Sequence, residues 1–252
     1  MSQIFMTDKG KVRQHNEDSG AIIRNKSGQR LAIVADGMGG HRAGDVASSL
    51  TVEKLTELWN MVEEMKTADE AENWLKANIL KVNQYVFDYA STHPECEGMG
   101  TTIIGVISTE NFATIAHVGD SRCYLYNEDG FKQITEDHSL VNELVRMGQI
   151  SKEAAEHHPR KNVVLRALGT DAQLDIDVMT IVFEEGDIIF ICSDGLSNKV
   201  TDQQIKEILE KENTLEEQAS TLIETANING GEDNITVVIL EHGDGHQAGE
   251  VQ

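Results

Sequence analysis

Four segments of the chain place an aspartate at the edge of an apolar run and beside glycine or asparagine. They are Ala-Ile-Val-Ala-Asp36-Gly37, Ala-His-Val-Gly119-Asp120, Ile-Phe-Ile-Cys-Ser-Asp194-Gly195 and Gly230-Gly231-Glu232-Asp233-Asn234, the last of which opens an apolar run instead of closing one. Short apolar runs bounded by Gly and Asp read as strands, and a single Asp-Gly after one is most simply a turn. If the four strand ends share one rim of a sheet structure, however, four carboxylates meet at one spot. Such a cluster repels itself, drives its own pKa values upward and calls for cations. Carboxylates without accompanying His or Cys are hard oxygen donors, which favours Mg²⁺ or Mn²⁺ over Zn²⁺ or Cu²⁺. Spacing and composition leave both readings, turn and metal ligand, open.

The remaining pattern supplies the sheets. Strands are expected at 3–7, 21–24 and 31–35, the last apolar enough to be buried on both faces. Helical spacing follows over about 45–65 and 69–92, with Leu50, Leu55, Leu58, Trp74, Leu75, Ile79, Val82 and Val86 turned inward. Strands return at 101–108, 111–118, 122–127 and 131–134, joined by short turns as in a meander, so the sheets are expected to be mainly antiparallel. Residues 137–170 are less regular, with an amphipathic piece at 140–147 and a basic patch, His157-His158-Pro159-Arg160-Lys161; so long an excursion inside a domain is often functional. Strands at 178–183 and 187–192, helices at 201–211 and 215–229 and a strand at 235–241 complete the order. Two helices in each half with strands between them predict an α+β fold: two packed, mainly antiparallel β-sheets flanked by helices on both sides. One domain is expected over 1–241, with a polar, Gly-rich tail at 242–252 expected to be disordered.

Charge narrows the partners. With 43 acidic against 21 basic residues, the net charge of −22 repels nucleic-acid backbones and anionic membranes on average, so no nucleic-acid partner is expected. Cys96, Cys123 and Cys192 are scattered and odd in number, which suggests neither a disulfide framework nor a zinc site and fits a reducing compartment. The first ten residues lack the apolar core of a signal peptide, and no run is long enough to span a bilayer, so a soluble, cytoplasmic protein is expected.

Near the start, Arg13-Gln14-His15-Asn16-Glu17-Asp18 sets a guanidinium beside two more carboxylates. The planar fork of Arg can donate two hydrogen bonds to a phosphate, with a surface ion pair or a turn as the competing reading. The stretch Asp36-Gly37-Met38-Gly39-Gly40-His41 is followed by no Gly-Lys-Ser/Thr, so it is not a nucleotide loop. Its glycines read as room for close backbone approach.

Taken in order, six segments resemble the protein phosphatase 2C-type (PPM) family, and in particular its small bacterial serine/threonine phosphatases. They are Arg13-x-x-Asn16-Glu17-Asp18, Val34 to His41, Gly98-Met99-Gly100-Thr101-Thr102, His117 to Arg122, Cys192 to Leu196 and Gly231 to Thr236. The resemblance implies that Asp36, Asp194 and Asp233 hold a binuclear Mn²⁺ or Mg²⁺ pair, completed by the Gly37 carbonyl. It also implies that Asp120 and Asp194 hold a third, weaker ion. Glu17 and Asp18 act close by, Arg13 grips the phosphate, and a flap spans about 138–170. The implied activity is hydrolysis of phosphoserine and phosphothreonine on proteins by attack of a metal-bridging water or hydroxide, with no phosphoenzyme intermediate. The implied partners are phosphorylated proteins, among them a serine/threonine kinase that the enzyme counteracts, and a monomer is the expected state. Animal relatives often carry a histidine two residues after the first aspartate as a general acid, where this chain has Met38. His41 is the nearest substitute, with packing or capping as its other reading, and His138 reads as structural. A catalytically dead binding module, a dedicated partner-switching phosphatase and a small-molecule phosphatase are the rival readings; the first predicts missing ligands, and none is missing.

Overall fold

A computed structural model of the chain describes residues 1–40 and 43–243, so His41 and all but the first two residues of the expected tail lie outside the described residues. One sheet has the order β1 (Ser2–Asp8), β11 (Ile235–Glu241), β10 (Ile188–Cys192), β7 (Arg122–Asn127), β8 (Gly130–Gln133). The other runs β2 (Asp18–Arg24), β3 (Arg30–Met38), β5 (Ile103–Ser108), β6 (Phe112–Val118), β9 (Asp177–Val182), with the short β4 (Gly100–Thr101) on the end of β3. All of these pairings are antiparallel, as the meander pattern predicts.

Three apolar clusters account for the layering. Because side chains alternate across a strand, β3 sends Leu31 and Ile33 toward α1 (Ala43–Trp59) and α2 (Ala68–Thr92), while Ala32 and Val34 enter the space between the sheets. Likewise β10 sends Phe190 and Cys192 toward α6 (Asp202–Leu209) and α7 (Leu215–Ile228), and Ile189 and Ile191 between the sheets. These central strands are buried on both faces, so they read as continuous apolar runs. The result is the expected sandwich of two sheets with helices outside.

Capping fixes most helix starts. Thr67, Ser139, Ser151, Thr201 and Thr214 each accept a backbone N–H three residues on, at α2, α3 (Leu140–Arg146), α4 (Lys152–Glu156), α6 and α7. The helix α1 ends at Trp59, short of the expected Met65. There the Trp59 indole N–H donates to the Ile23 carbonyl at 3.1 Å, and the chain turns back so that the Met65 N–H reaches Gln29 Oε1 at 2.7 Å. The excursion over 138–170 contains α3 and α4 but no buried helix face. Among the described residues, no helix is long and apolar enough to cross a membrane.

Candidate metal centre

The aspartates come together because of register and sheet order. Asp18, at the start of β2, pairs directly with Asp36 near the end of β3. Asp194 opens α5 (Asp194–Ser197) just past β10, and Asp233 immediately precedes β11, the neighbour of β10. Asp120 sits in the connection that carries the chain from β6 in one sheet to β7 in the other.

Backbone contacts lock this arrangement. The Asn234 side chain accepts from the Glu17 N–H at 2.8 Å and donates to the carbonyls of Lys9 and His15 at 2.8 and 2.9 Å. Asn234 also donates its own N–H to Asp233 Oδ1 at 2.9 Å. Ser193 Oγ donates to Asp18 Oδ2 at 2.7 Å, tying the end of β10 to β2. Thr102 Oγ1 accepts from the Asp36 N–H at 3.0 Å and meets Ser121 Oγ at 2.8 Å, which links the Asp36 and Asp120 turns.

Two Asp-Gly pairs need their glycines for room. A Cβ on Gly37 would stand 2.1 Å from the Gly44 carbonyl oxygen, and one on Gly195 would stand 1.9 Å from that of Asn234. The glycines therefore admit neighbouring backbone against the carboxylate-bearing turns.

The electrostatics show mutual repulsion in a confined place. Burial and then the charges of Asp18, Asp194, Asp120 and Asp233 hold the Asp36 carboxyl well above the usual range. Asp18 rises to about 7, mainly by burial, against opposing hydrogen bonds from Thr236 and Ser193. Asp120 rises to about 7 by burial and the charge of Asp194, and Asp194 to about 6 by burial and the charge of Asp233. Asp18 Oδ1 is buried without a hydrogen-bond partner. Among the described residues, no three His, Cys, Asp or Glu side chains already stand close enough together to hold a metal ion. An unpartnered carboxylate oxygen within an all-oxygen donor set suits hard divalent cations, and cations at this rim would relieve the repulsion.

Arg13 reaches the same place, its Nη2 donating to Asp233 Oδ2 at 2.8 Å, with Glu17 and Asp36 also drawing on its charge. Burial raises the Glu17 carboxyl, and Arg13 opposes that shift. The structure thus gathers Arg13, Glu17, Asp18, Asp36, Gly37, Asp120, Asp194 and Asp233 around one rim.

Two further contacts brace the Asp120 turn. Arg122 grips Asp137 with its Nε and Nη2, the Nη2 contact being 2.7 Å, and fixes β7 just beyond Asp120. His138, expected to be structural, accepts the Gly119 N–H on Nδ1 at 3.1 Å and donates its backbone N–H to the Gly119 carbonyl at 2.8 Å. Asp137 and His138 lie just past β8, and only the fold brings them back to the Asp120 turn.

Behind that turn His117 is 2% exposed, with neither ring nitrogen hydrogen-bonded. Burial and the nearby His138 lower its pKa to about 4, against the opposing charges of Asp137 and Asp177. A base whose folded pKa is depressed stays neutral in the fold, so its cost appears as pH falls from the unfolded value of about 6.5 toward the folded one. Relative to a His117→Leu variant, the wild type is expected to lose about 3 kcal/mol of stability between pH 7 and pH 4. Urea midpoints across that range test this, and a pH-independent difference would show that His117 titrates normally.

Known proteins share this fold. The family description Protein phosphatase 2C matches residues 8–241. The Serine/threonine phosphatase stp of Listeria innocua serovar 6a is 48% identical over 237 residues, spanning 94% of each chain. Protein phosphatase PhpP of Streptococcus pneumoniae strain D39 is 37% identical over 236 residues, covering 94% of this chain and 95% of its own. The crystal structure of Serine/threonine phosphatase Stp1 from Staphylococcus aureus superposes with a TM-score of 0.91 at 38% identity, covering 96% of this chain and 95% of that one. The catalytic domain of serine threonine protein phosphatase PstP, solved with two manganese ions, superposes with a TM-score of 0.82 at 35% identity over 94% and 96% of the two chains. A match along nearly the whole length, on a sandwich whose aspartates meet at one rim, makes this chain a member of the protein phosphatase 2C family.

Proposed function

We propose that the chain hydrolyses phosphoserine and phosphothreonine on proteins, with Asp36, Asp194, Asp233 and the Gly37 carbonyl holding two Mn²⁺ or Mg²⁺ ions and Asp120 with Asp194 holding a weaker third. The observation that carries this reading is the set of four buried aspartates, Asp18, Asp36, Asp120 and Asp194, whose pKa values burial and one another's charges raise at one rim, beside a guanidinium already directed at Asp233. Such ions supply charge neutralisation for the phosphoryl group and an activated water nucleophile.

The chain's own residues do the rest. Arg13 is half exposed, with 48% of its side chain open to solvent, so it can swing from Asp233 to a phosphate oxygen and orient the ester. On this reading Asp18 and Glu17 orient water by hydrogen bonding at the rim. The leaving alkoxide takes its proton from water at the site or from His41, which belongs to the same motif. Residues 1–241 act as a single catalytic domain, with 138–170 as a flap beside the site. On this reading the protein is a cytoplasmic monomer acting on phosphoproteins, including a serine/threonine kinase.

The direct test is phosphate release from a phosphothreonine peptide after chelation, with Mn²⁺, Mg²⁺, Ca²⁺ or nothing restored. Activity is expected to return with Mn²⁺, and its absence under every ion would leave the binding-module reading in its place. Arg13→Ala is expected to raise KM about tenfold or more through loss of a charge-assisted phosphate contact. Unchanged KM and kcat together would remove Arg13 from the site.

A further inference from the structure

The metal rim uses none of the residues around an internal cavity that lies behind the Asp120 turn. The cavity measures about 160 Å³ and is lined by Ile115 and His117 of β6, Asp177 and Met179 of β9, and Ile134 and Glu136 just past β8. Its lining follows from strand geometry, since side chains alternate across a strand and directly paired residues share a face. Ile115 pairs with Met179 and His117 with Asp177, and Ile115 and Met179 belong to the apolar cluster between the sheets. His117 and Asp177 therefore face that same layer.

The two histidines at this place differ in one respect. His138 is satisfied on both ring nitrogens, Nδ1 by the Gly119 N–H at 3.1 Å and Nε2 by Asp177 Oδ2 at 3.2 Å. His117, its ring 4.5 Å from that of His138, is 2% exposed and has no hydrogen-bond partner on either nitrogen among the described residues. The Gly119 backbone is close to it but outside hydrogen-bond geometry. Buried polar groups are ordinarily hydrogen-bonded, and a neutral imidazole offers one donor and one acceptor. A hydroxyl both donates and accepts, so it satisfies His117 in either tautomer.

The rest of the lining sets the other features of a ligand. An apolar cavity of about 150 Å³ admits benzene, so the space beside Ile115, Ile134 and Met179 suits a single ring. Glu136 is exposed and the Asp177 side chain is half exposed, which puts two carboxylates where the cavity meets solvent. Asp177 already accepts from Arg166 Nη1 at 3.1 Å and from His138, yet a carboxylate has roughly four lone-pair sites and can accept more.

We propose that this cavity binds a small aromatic ring bearing a hydroxyl directed at His117 and, at its other end, a cationic group held by Glu136 and Asp177. Such binding does not depend on the phosphatase activity.

Tyramine has this form and is the probe; phenethylamine lacks its hydroxyl and p-cresol its ammonium group. Each is titrated into the whole chain with Mg²⁺ at neutral pH while the methyl NMR signals of Ile115, Ile134 and Met179 are followed. Tyramine is expected to shift all three saturably with a Kd of about 1 mM, the range for a ligand of about ten heavy atoms. Phenethylamine and p-cresol should each bind about threefold to tenfold more weakly, the scale of one hydrogen bond or one exposed charge pair. Glu136→Gln should weaken tyramine about threefold and leave p-cresol unchanged. Met179→Trp, which fills the cavity, should abolish binding of all three. Absence of saturable shifts at tyramine concentrations well above that Kd would show that the cavity holds only solvent and would overturn the proposal. Equal affinities for the three probes, or tyramine binding retained in Met179→Trp, would overturn it too. Unchanged tyramine affinity in Glu136→Gln would do the same, whether or not Met179→Trp folds.

Discussion

Asp194→Ala is expected to lower phosphate release from a phosphothreonine peptide about 10³-fold or more, the scale on which electrostatic stabilisation at a phosphoryl centre acts. Asp194 stands at the crossing point of the proposed ligand sets, so its loss removes a donor from the pair and from the third ion together. The fold should survive. Its carboxyl rises to about 6 through burial and the charge of Asp233, so the metal-free protein is strained by this group, not supported by it. Chelated Asp194→Ala should melt no lower than chelated wild type at neutral pH. Retention of more than about a tenth of wild-type turnover would remove Asp194 from the centre, and a large drop in melting temperature would mean that the lost activity reports unfolding.

Gly195→Ala should act in the opposite way, through the backbone. The added methyl would meet the Asn234 carbonyl oxygen at 1.9 Å, with Asp233 Cβ at 3.3 Å behind it. Both obstacles belong to the segment that sets Asp233, and main chain cannot swing aside as a long side chain can. Overpacking of this kind is expected to cost about 3 kcal/mol or more, read from urea unfolding at fixed pH. Whatever fraction folds should also turn over poorly, because the backbone shift that admits the methyl displaces Asp233. A loss below about 1 kcal/mol would show that the α5 turn moves freely.

The sequence disclosed these elements unevenly, for identifiable reasons. The continuous apolar run at 31–35 was expected to be a strand buried on both faces, and β3 is that strand. The inward-facing Leu75, Ile79, Val82 and Val86 of α2 followed from spacing alone, since a helix repeats its buried face locally. The end of α1 did not, because what stops it is Trp59 reaching the Ile23 carbonyl of another strand. Short α4 escaped notice, although Ser151 three residues before Ala154 was a usable capping signal. At the site, the aspartates were legible as residues beside glycine at strand ends. Their convergence depended on Asp18 facing Asp36 across a register and on β10 lying beside β11, which are long-range facts. The Arg122–Asp137 clasp was hidden for the same reason.

The passage of the chain from β6 to β7 at Asp120 has a mechanical consequence. Asp18 and Asp36 ride on one sheet, Asp194 and Asp233 on the other, and Asp120 on the strand-to-strand crossing between them. The proposed donors Asp36, Asp120, Asp194 and Asp233, divided in this way, would work as a caliper across the sandwich, since its jaws meet only at one separation of the sheets. Anything that wedges the layers apart at that end, whether a larger side chain in the Ala32, Val34 and Ile104 cluster or a partner levering the Asp120 turn, should release ions long before it unfolds the protein.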